Sequence, residues 1–314
     1  MLLLNLIFFI LTSIVLMVSA TSIIISLNKI ALFLRISRFI ASFIIMAFAT
    51  AIPELFIGIS SAVSKTPSLS LGNVLGSSML HFTLLSGIFI LMGGGIKIKD
   101  NKIGKDIYFV IGSIVLVIIL ALINNSLSRA DGIILVSFFL LSYYRIFKKS
   151  SKYRAKLENK KIKKIKIAEY FLIFFVSLII LFVSSKYIVD FASLIAVDLN
   201  LPKILIGLLL LSLATNLPEL AFGFKAIKLG FKEMALGDLT GGVLTNIGMV
   251  LGIVAIIYPI QIEAISFIVI SSFLLISAII FTMFLKSEKE LKVIEGIGLI
   301  LIYILFIITE FLIK

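Results

Sequence analysis

The sequence predicts an all-α polytopic membrane protein of ten transmembrane helices arranged as two inverted five-helix repeats, and three observations carry that expectation. Of the 314 residues, 61% are hydrophobic and 14% charged, and the mean hydropathy is +1.24, too apolar for a domain whose surface faces water. The apolar residues fall into runs near the ~20 residues that cross a hydrocarbon core. Two segments match each other at a constant offset of 165 residues, and each sets a proline and a glutamate inside such a run.

Taken in order, the first apolar run spans 2–28 and stops at Lys29. It resembles a secretory signal core ending in Val18-Ser19-Ala20, but no Lys or Arg precedes it, so it reads as an uncleaved first helix. Runs 39–64 and 69–92 follow, with Lys65 between them; Lys97, Lys99, Lys102 and Lys105 lead into 107–124, and Arg129 precedes 131–147. Residues 148–167 are the clearest shift in composition, a basic segment that reads as a solvated cytoplasmic linker and divides the chain into halves 1–147 and 168–314. The second half carries runs 168–196, 201–225, 234–258, 264–285 and 293–313. Five spans is an odd number, so the second half enters the membrane from the opposite side. Equivalent segments are then related by an axis in the membrane plane.

The net charge of +13 reports topology rather than nucleic-acid binding, because the basic residues lie in loops between apolar runs. With the N-terminus outside, 24 of the 29 Lys and Arg residues face inward, leaving Lys65, Arg129, Lys186, Lys203 and Lys314 outside. Both termini are therefore expected to be external, in the plasma membrane. No cysteine and a single histidine exclude thiolate sites, disulfides and a multi-histidine metal centre within one chain.

The repeated segments carry the chemistry. The first reads Ala49-Thr50-Ala51-Ile52-Pro53-Glu54-Leu55 and continues to Gly72-Asn73-Val74-Leu75-Gly76. The second reads Ala214-Thr215-Asn216-Leu217-Pro218-Glu219-Leu220 and continues to Gly237-Asp238-Leu239-Thr240-Gly241. Each proline lacks the N–H that would bond the carbonyl four residues earlier, freeing Ala49 and Ala214. Thr50 and Glu54, like Thr215 and Glu219, are four apart and share a helix face. The glycines at 72, 76, 237, 241 and 242 permit close helix approach. Asn73, Ser77 and His81 in one repeat, and Asp238 and Asn246 in the other, recur at four-residue multiples, as stripes able to face the glutamates. Two carboxylates in low dielectric repel unless positive charge arrives. Together they neutralise one divalent cation, and calcium, with six to eight oxygen ligands, suits glutamates, freed carbonyls, hydroxyls and amides better than magnesium does. A site that needs such compensation is emptied by sodium ions or protons, which is the logic of antiport. A channel would want a continuous polar pore, and an enzyme a nucleophile and base; Ser77 and His81 stand one turn apart, but Gly242 and Asn246 occupy the matching places.

The duplicated Thr-x-x-Pro-Glu followed by Gly-Asn/Asp-x-x-Gly resembles the two alpha repeats of the sodium/calcium exchanger family, in the calcium/cation antiporter superfamily, and the layout fits its prokaryotic ten-helix type. The resemblance covers essentially the whole chain. It implies a calcium site of Glu54 and Glu219 with Thr50 and Thr215, and flanking sodium sites, one using Glu54, Thr50, Ser77 and the backbone of Ala47, the other Glu219, Thr215 and the backbone of Ser212. It also implies that helices 2, 3, 7 and 8 hold the ions while helices 1 and 6 slide across them; no cofactor is expected, the expected partners are the calcium ion, the sodium ion or proton and the lipid bilayer, with no nucleic acid, and the oligomeric state is left open.

The chain departs from the family pattern at several places. The serine after the motif threonine is Ala51 in one repeat and Asn216 in the other, the usual Gly-Ser of the second repeat is Gly241-Gly242, and His81 stands where relatives carry Asn or Asp. One sodium site thereby lacks its serine hydroxyl. His81 is either a helix-packing residue or proton-linked, since imidazole titrates near neutral pH. Calcium/proton exchange is accordingly the alternative to calcium/sodium exchange, with the retained Pro-Glu pair on the side of sodium.

Overall fold

A computed structural model of the chain describes residues 1–33, 51–97, 103–150, 164–286 and 290–312. These fold into helices α1 (Leu2–Phe33), α2 (Ile52–Val63), α3 (Pro67–Met92), α4 (Ile103–Asn124), α5 (Arg129–Ser150), α6 (Lys164–Asp198), α7 (Lys203–Thr215), α8 (Leu217–Lys228), α9 (Lys232–Ile257), α10 (Ala264–Lys286) and α11 (Val293–Leu312). Four two-residue strands join them: β1 (Ile96–Lys97), β2 (Ser126–Leu127), β3 (Ile260–Gln261) and β4 (Glu290–Leu291). Among the described residues seven helices are long and apolar enough to cross a membrane, and α7 with α8 adds an eighth if the bent pair is one span. Of the expected run 39–64, only the part from residue 51 is described. The 22-residue α5 carries Arg129, Asp131 and Arg145 near its ends, which dilutes its apolar stretch.

The expected run 201–225 is not one straight helix. It breaks at Asn216, and α7 and α8 meet at 41°, because Pro218 cannot donate to the Ala214 carbonyl. Pro53 likewise sits in the first turn of α2, where a missing N–H removes no helical bond. Helix α6 begins at Lys164, inside the segment expected as linker, since its Lys and Glu residues favour helix.

Several contacts recur at the offset seen in the sequence. The strand pair Ile96↔Leu291 joins β1 to β4, and Ser126↔Gln261 joins β2 to β3; residues 96 and 261 are 165 apart, as are 126 and 291. Single π-helical turns interrupt α3 at His81–Leu85 and α9 at Thr245–Val250. Gly58 faces Val254 and Gly223 faces Phe89, and a Cβ there would stand 2.7 and 1.9 Å from those side chains. Gly87 lies against the Gly296 carbonyl, and Gly252 against that of Gly132, at 2.7 and 2.9 Å from a hypothetical Cβ, a match shifted by one residue on the carbonyl side.

Helices α3 and α9 form the middle of the molecule, each with 83% of its most apolar stretch buried, whereas the corresponding values for α1 and α6 are 28% and 17%. Long exposed rows of Leu, Ile, Val and Phe on those two helices suit contact with lipid tails. They pack along each other, with Phe8 stacked on Phe191 at 5.3 Å and Asn5 Nδ2 donating to Asp198 Oδ2 at 2.7 Å.

Candidate ion-binding site

The site begins at a backbone crossing. Where α3 meets α7, a Cβ on Gly72 would lie 1.9 Å from the Ile204 carbonyl oxygen, one on Gly207 2.2 Å from that of Leu69, and one on Gly76 2.5 Å from that of Leu208. Only residues without side chains let two helices touch this closely. The crossing brings Asn73 and Ser77, one helical turn apart on α3, against Ser212, Thr215 and Asn216, where α7 ends. The bend at Asn216 then turns Glu219 inward from the first turn of α8, and Glu54 enters from the first turn of α2.

Both glutamates are buried, Glu54 completely and Glu219 to 3% exposure. The Glu54 carboxylate lies beside the Thr215 hydroxyl, and Glu219 is close enough to Glu54 and Asp238 to be repelled by both. Oε1 and Oε2 of Glu54, Oε2 of Glu219 and Oδ1 of Asn246 have no hydrogen-bond donor among the described residues. Buried acceptors are rarely left so. Three of these are carboxylate oxygens drawn from both halves of the chain, a donor set whose chemistry suits a cation. Among the described residues no three acidic or histidine side chains converge as a ready-made metal cluster, so hydroxyl, amide and carbonyl oxygens must complete any coordination shell.

Beside the glutamates runs a hydrogen-bond network that links the two halves. Thr215 Oγ1 donates to Asn73 Oδ1 at 3.2 Å and lies 3.5 Å from Ser77 Oγ. Asn216 Nδ2 donates to Ser77 Oγ at 2.8 Å and to the Ser212 carbonyl at 2.6 Å. His81, on the π-helical turn of α3, sets Nε2 2.5 Å from Asn216 Oδ1 and Nδ1 3.1 Å from the Leu239 carbonyl. A Cβ on Gly242 would stand 2.8 Å from His81 Cε1, so the ring occupies room that a side chain at 242 would take.

Of the residues expected at the site, Glu54, Glu219, Thr215, Ser77, Ser212, Asn73, Asn216, His81, Asp238 and Asn246 are all buried. Thr50 and Ala47 lie outside the described residues. Tyr143 on α5, within electrostatic reach of Asp238, was not foreseen, because nothing in its local sequence marks it. Gly207 was missed too; its role depends on which helix crosses there.

Comparison with known proteins bears on this geometry. The family model for "Sodium/calcium exchanger protein" matches residues 4–148 and 169–312. The chain belongs to the sodium/calcium exchanger family. Within that family it is 24% identical to sodium/calcium exchanger MaX1 of Methanosarcina acetivorans over 91% of this chain and 92% of the relative. It is 23% identical to inner membrane protein YrbG of Escherichia coli, over 82% and 81% of the two chains. Among solved structures it resembles the sodium-calcium exchanger NCX_Mj soaked with 100 mM Na+ and 10 mM Sr2+, with a TM-score of 0.67, 25% identity and 98% of each chain covered. Membership makes this chain a multi-pass membrane transporter for cation antiport. Its relatives are transporters rather than enzymes.

Proposed function

We propose that this exchanger-family member moves calcium against sodium by alternating access, at a central site formed by Glu54 and Glu219. The observation that carries the reading is the set of buried acceptors from both halves, Glu54 Oε1 and Oε2 with Glu219 Oε2 and Asn246 Oδ1, that have no hydrogen-bond donor among the described residues. A divalent cation cancels the two glutamate charges, and the oxygens of Thr215 and Thr50 add to its shell. Sodium entering beside Glu54, with Thr50, Ser77 and the Ala47 carbonyl, supplies the charge that lets calcium leave. Sodium is preferred to protons because the named exchangers this chain resembles are sodium/calcium exchangers.

Ten spans in two inverted repeats are supported by contacts that recur 165 residues apart. The strand pairs, and the contacts Gly58 with Val254 and Gly223 with Phe89, each map onto a partner in the other half. Such a pseudo-two-fold fold places one site at mid-depth and opens it to either side by rocking one part against another. The lightly buried pair α1 and α6, bonded to each other at Asn5 and Asp198, is the moving part that this reading selects.

The deciding experiment loads purified protein into liposomes and measures calcium uptake driven by an imposed sodium gradient, then by a pH gradient without sodium. Uptake with sodium alone is expected. Uptake that follows only the pH gradient would transfer the coupling to protons, and gradient-independent flux at channel rates would remove antiport.

A further inference from the structure

We infer that the flank of the site at Ser212 is closed by this chain's own Asn216 carboxamide, held by His81, so that the exchanger couples calcium to one sodium ion fewer than the same scaffold with that flank open. The inference rests on the sodium/calcium reading above. Three positions that looked unrelated in the sequence, 81, 216 and 242, meet at one point in space.

The Ser212 carbonyl would be the backbone oxygen of a monovalent-cation site beside Glu219 and Thr215. It is instead the acceptor for two donors, Asn216 Nδ2 at 2.6 Å and the Asn216 backbone N–H at 3.2 Å. A carbonyl has two lone pairs, and none is left for an ion. The same Nδ2 also bonds Ser77 Oγ at 2.8 Å, so one NH2 group spans two oxygens from opposite halves, as a small cation would.

The orientation of that amide is set by chemistry. A backbone carbonyl only accepts, so the atom 2.6 Å from it must be the donor, which points Asn216 Oδ1 the other way. There it meets His81 Nε2 at 2.5 Å; a neutral imidazole has one N–H, so the ring that donates to Oδ1 carries it on Nε2 and brings an unprotonated Nδ1 to 3.1 Å from the Leu239 carbonyl. His81 is therefore a positioning residue: its ring holds the oxygen end of the carboxamide and thereby keeps the nitrogen end on Ser212. The ring reaches this place because residue 242 is glycine. All of these side chains are buried, so water does not compete for the bonds.

The test measures the sodium dependence of calcium uptake in proteoliposomes for the wild type and for Asn216→Asp, Asn216→Ser and His81→Leu. Asp keeps the shape of Asn but sets oxygen against the Ser212 carbonyl, an arrangement that only a cation relieves; Ser removes the blocking nitrogen, and Leu removes the group that orients it. Each is expected to raise the Hill coefficient for sodium by about one, and the reversal potential is expected to shift in the direction of one more charge entering per calcium. A lost fold would lower the maximal rate without raising the coefficient, and Asn216→Asp is close enough in shape to guard against that. An unchanged coefficient and reversal potential in Asn216→Asp and Asn216→Ser, with calcium exchange persisting, would overturn the inference. Failure of the wild type to move calcium on a sodium gradient would instead sink the function on which it rests.

Discussion

Glu54 and Glu219 are acidic side chains buried in the middle of the molecule, and among the described residues no basic side chain is placed against either. Glu219 meets only further acidic groups, Glu54 and Asp238. Glu54→Gln or Glu219→Gln removes one charge that would balance a buried ion, a loss worth about 3–5 kcal/mol where partners are desolvated. Calcium exchange is expected to fall by about 100-fold or more in either variant, while both still fold, because Gln fills the same space and needs no counter-ion. Vesicle uptake with gel-filtration profiles checks this, and wild-type rates in either variant would remove that residue from the site. The two glutamates were legible in the sequence because their signal is local: a carboxylate two residues into an apolar helix, twice, at one spacing. The contact between His81 and Asn216 was not, since the residues are 135 positions apart and only the crossing of α3 with α7 brings them together.

Helices α3 and α7 touch through glycine, and that contact sets every distance in the network beyond it. Gly72→Ala and Gly207→Ala each drive a methyl group into a backbone carbonyl, at 1.9 and 2.2 Å, and a carbonyl fixed in a helix has no rotamer by which to yield. Each is expected to destabilise the protein by about 1–3 kcal/mol, the usual range for overpacking, and to reduce transport further by separating Asn73 and Ser77 from Thr215. Gly298→Ala on α11, whose Cβ would have nothing within 4 Å, is the control and should be neutral or slightly stabilising. Thermal unfolding in detergent separates the three variants. At this scale the sequence was partly legible. Pro218 announced a freed carbonyl at Ala214 but not the break between α7 and α8, and the glycines at 72 and 76 announced a close approach without naming the partner. The π-helical turns at His81–Leu85 and Thr245–Val250 left no mark, because one extra residue in a single turn is too small a shift to register in the pattern of helices buried on nearly every side. The two-residue strands were equally invisible, being too short for any alternation to register.

Across the whole molecule, the contacts that recur between the halves and the placement of basic residues answer different questions. Recurrence of the Ile96↔Leu291 pair as Ser126↔Gln261 relates the halves to one another, but it is indifferent to which end faces the cytoplasm. Charge breaks that degeneracy, since Lys and Arg in short loops are retained on the inner side. The absence of cysteine from all 314 residues makes the orientation directly measurable by single substitutions. Lys156→Cys lies in the basic segment between the halves, and Glu263→Cys lies at an exposed position between β3 and α10; two spans counted back from the C-terminus place the second opposite the cytoplasm. A membrane-impermeant maleimide added to intact cells is expected to label Glu263→Cys and not Lys156→Cys, and permeabilised cells are expected to label both. Labelling of both in intact cells would mean that the three spans expected between these positions do not set them on opposite sides as the charges require. Labelling of Lys156→Cys alone would invert the molecule, and with it the direction in which the sodium gradient drives calcium through the site.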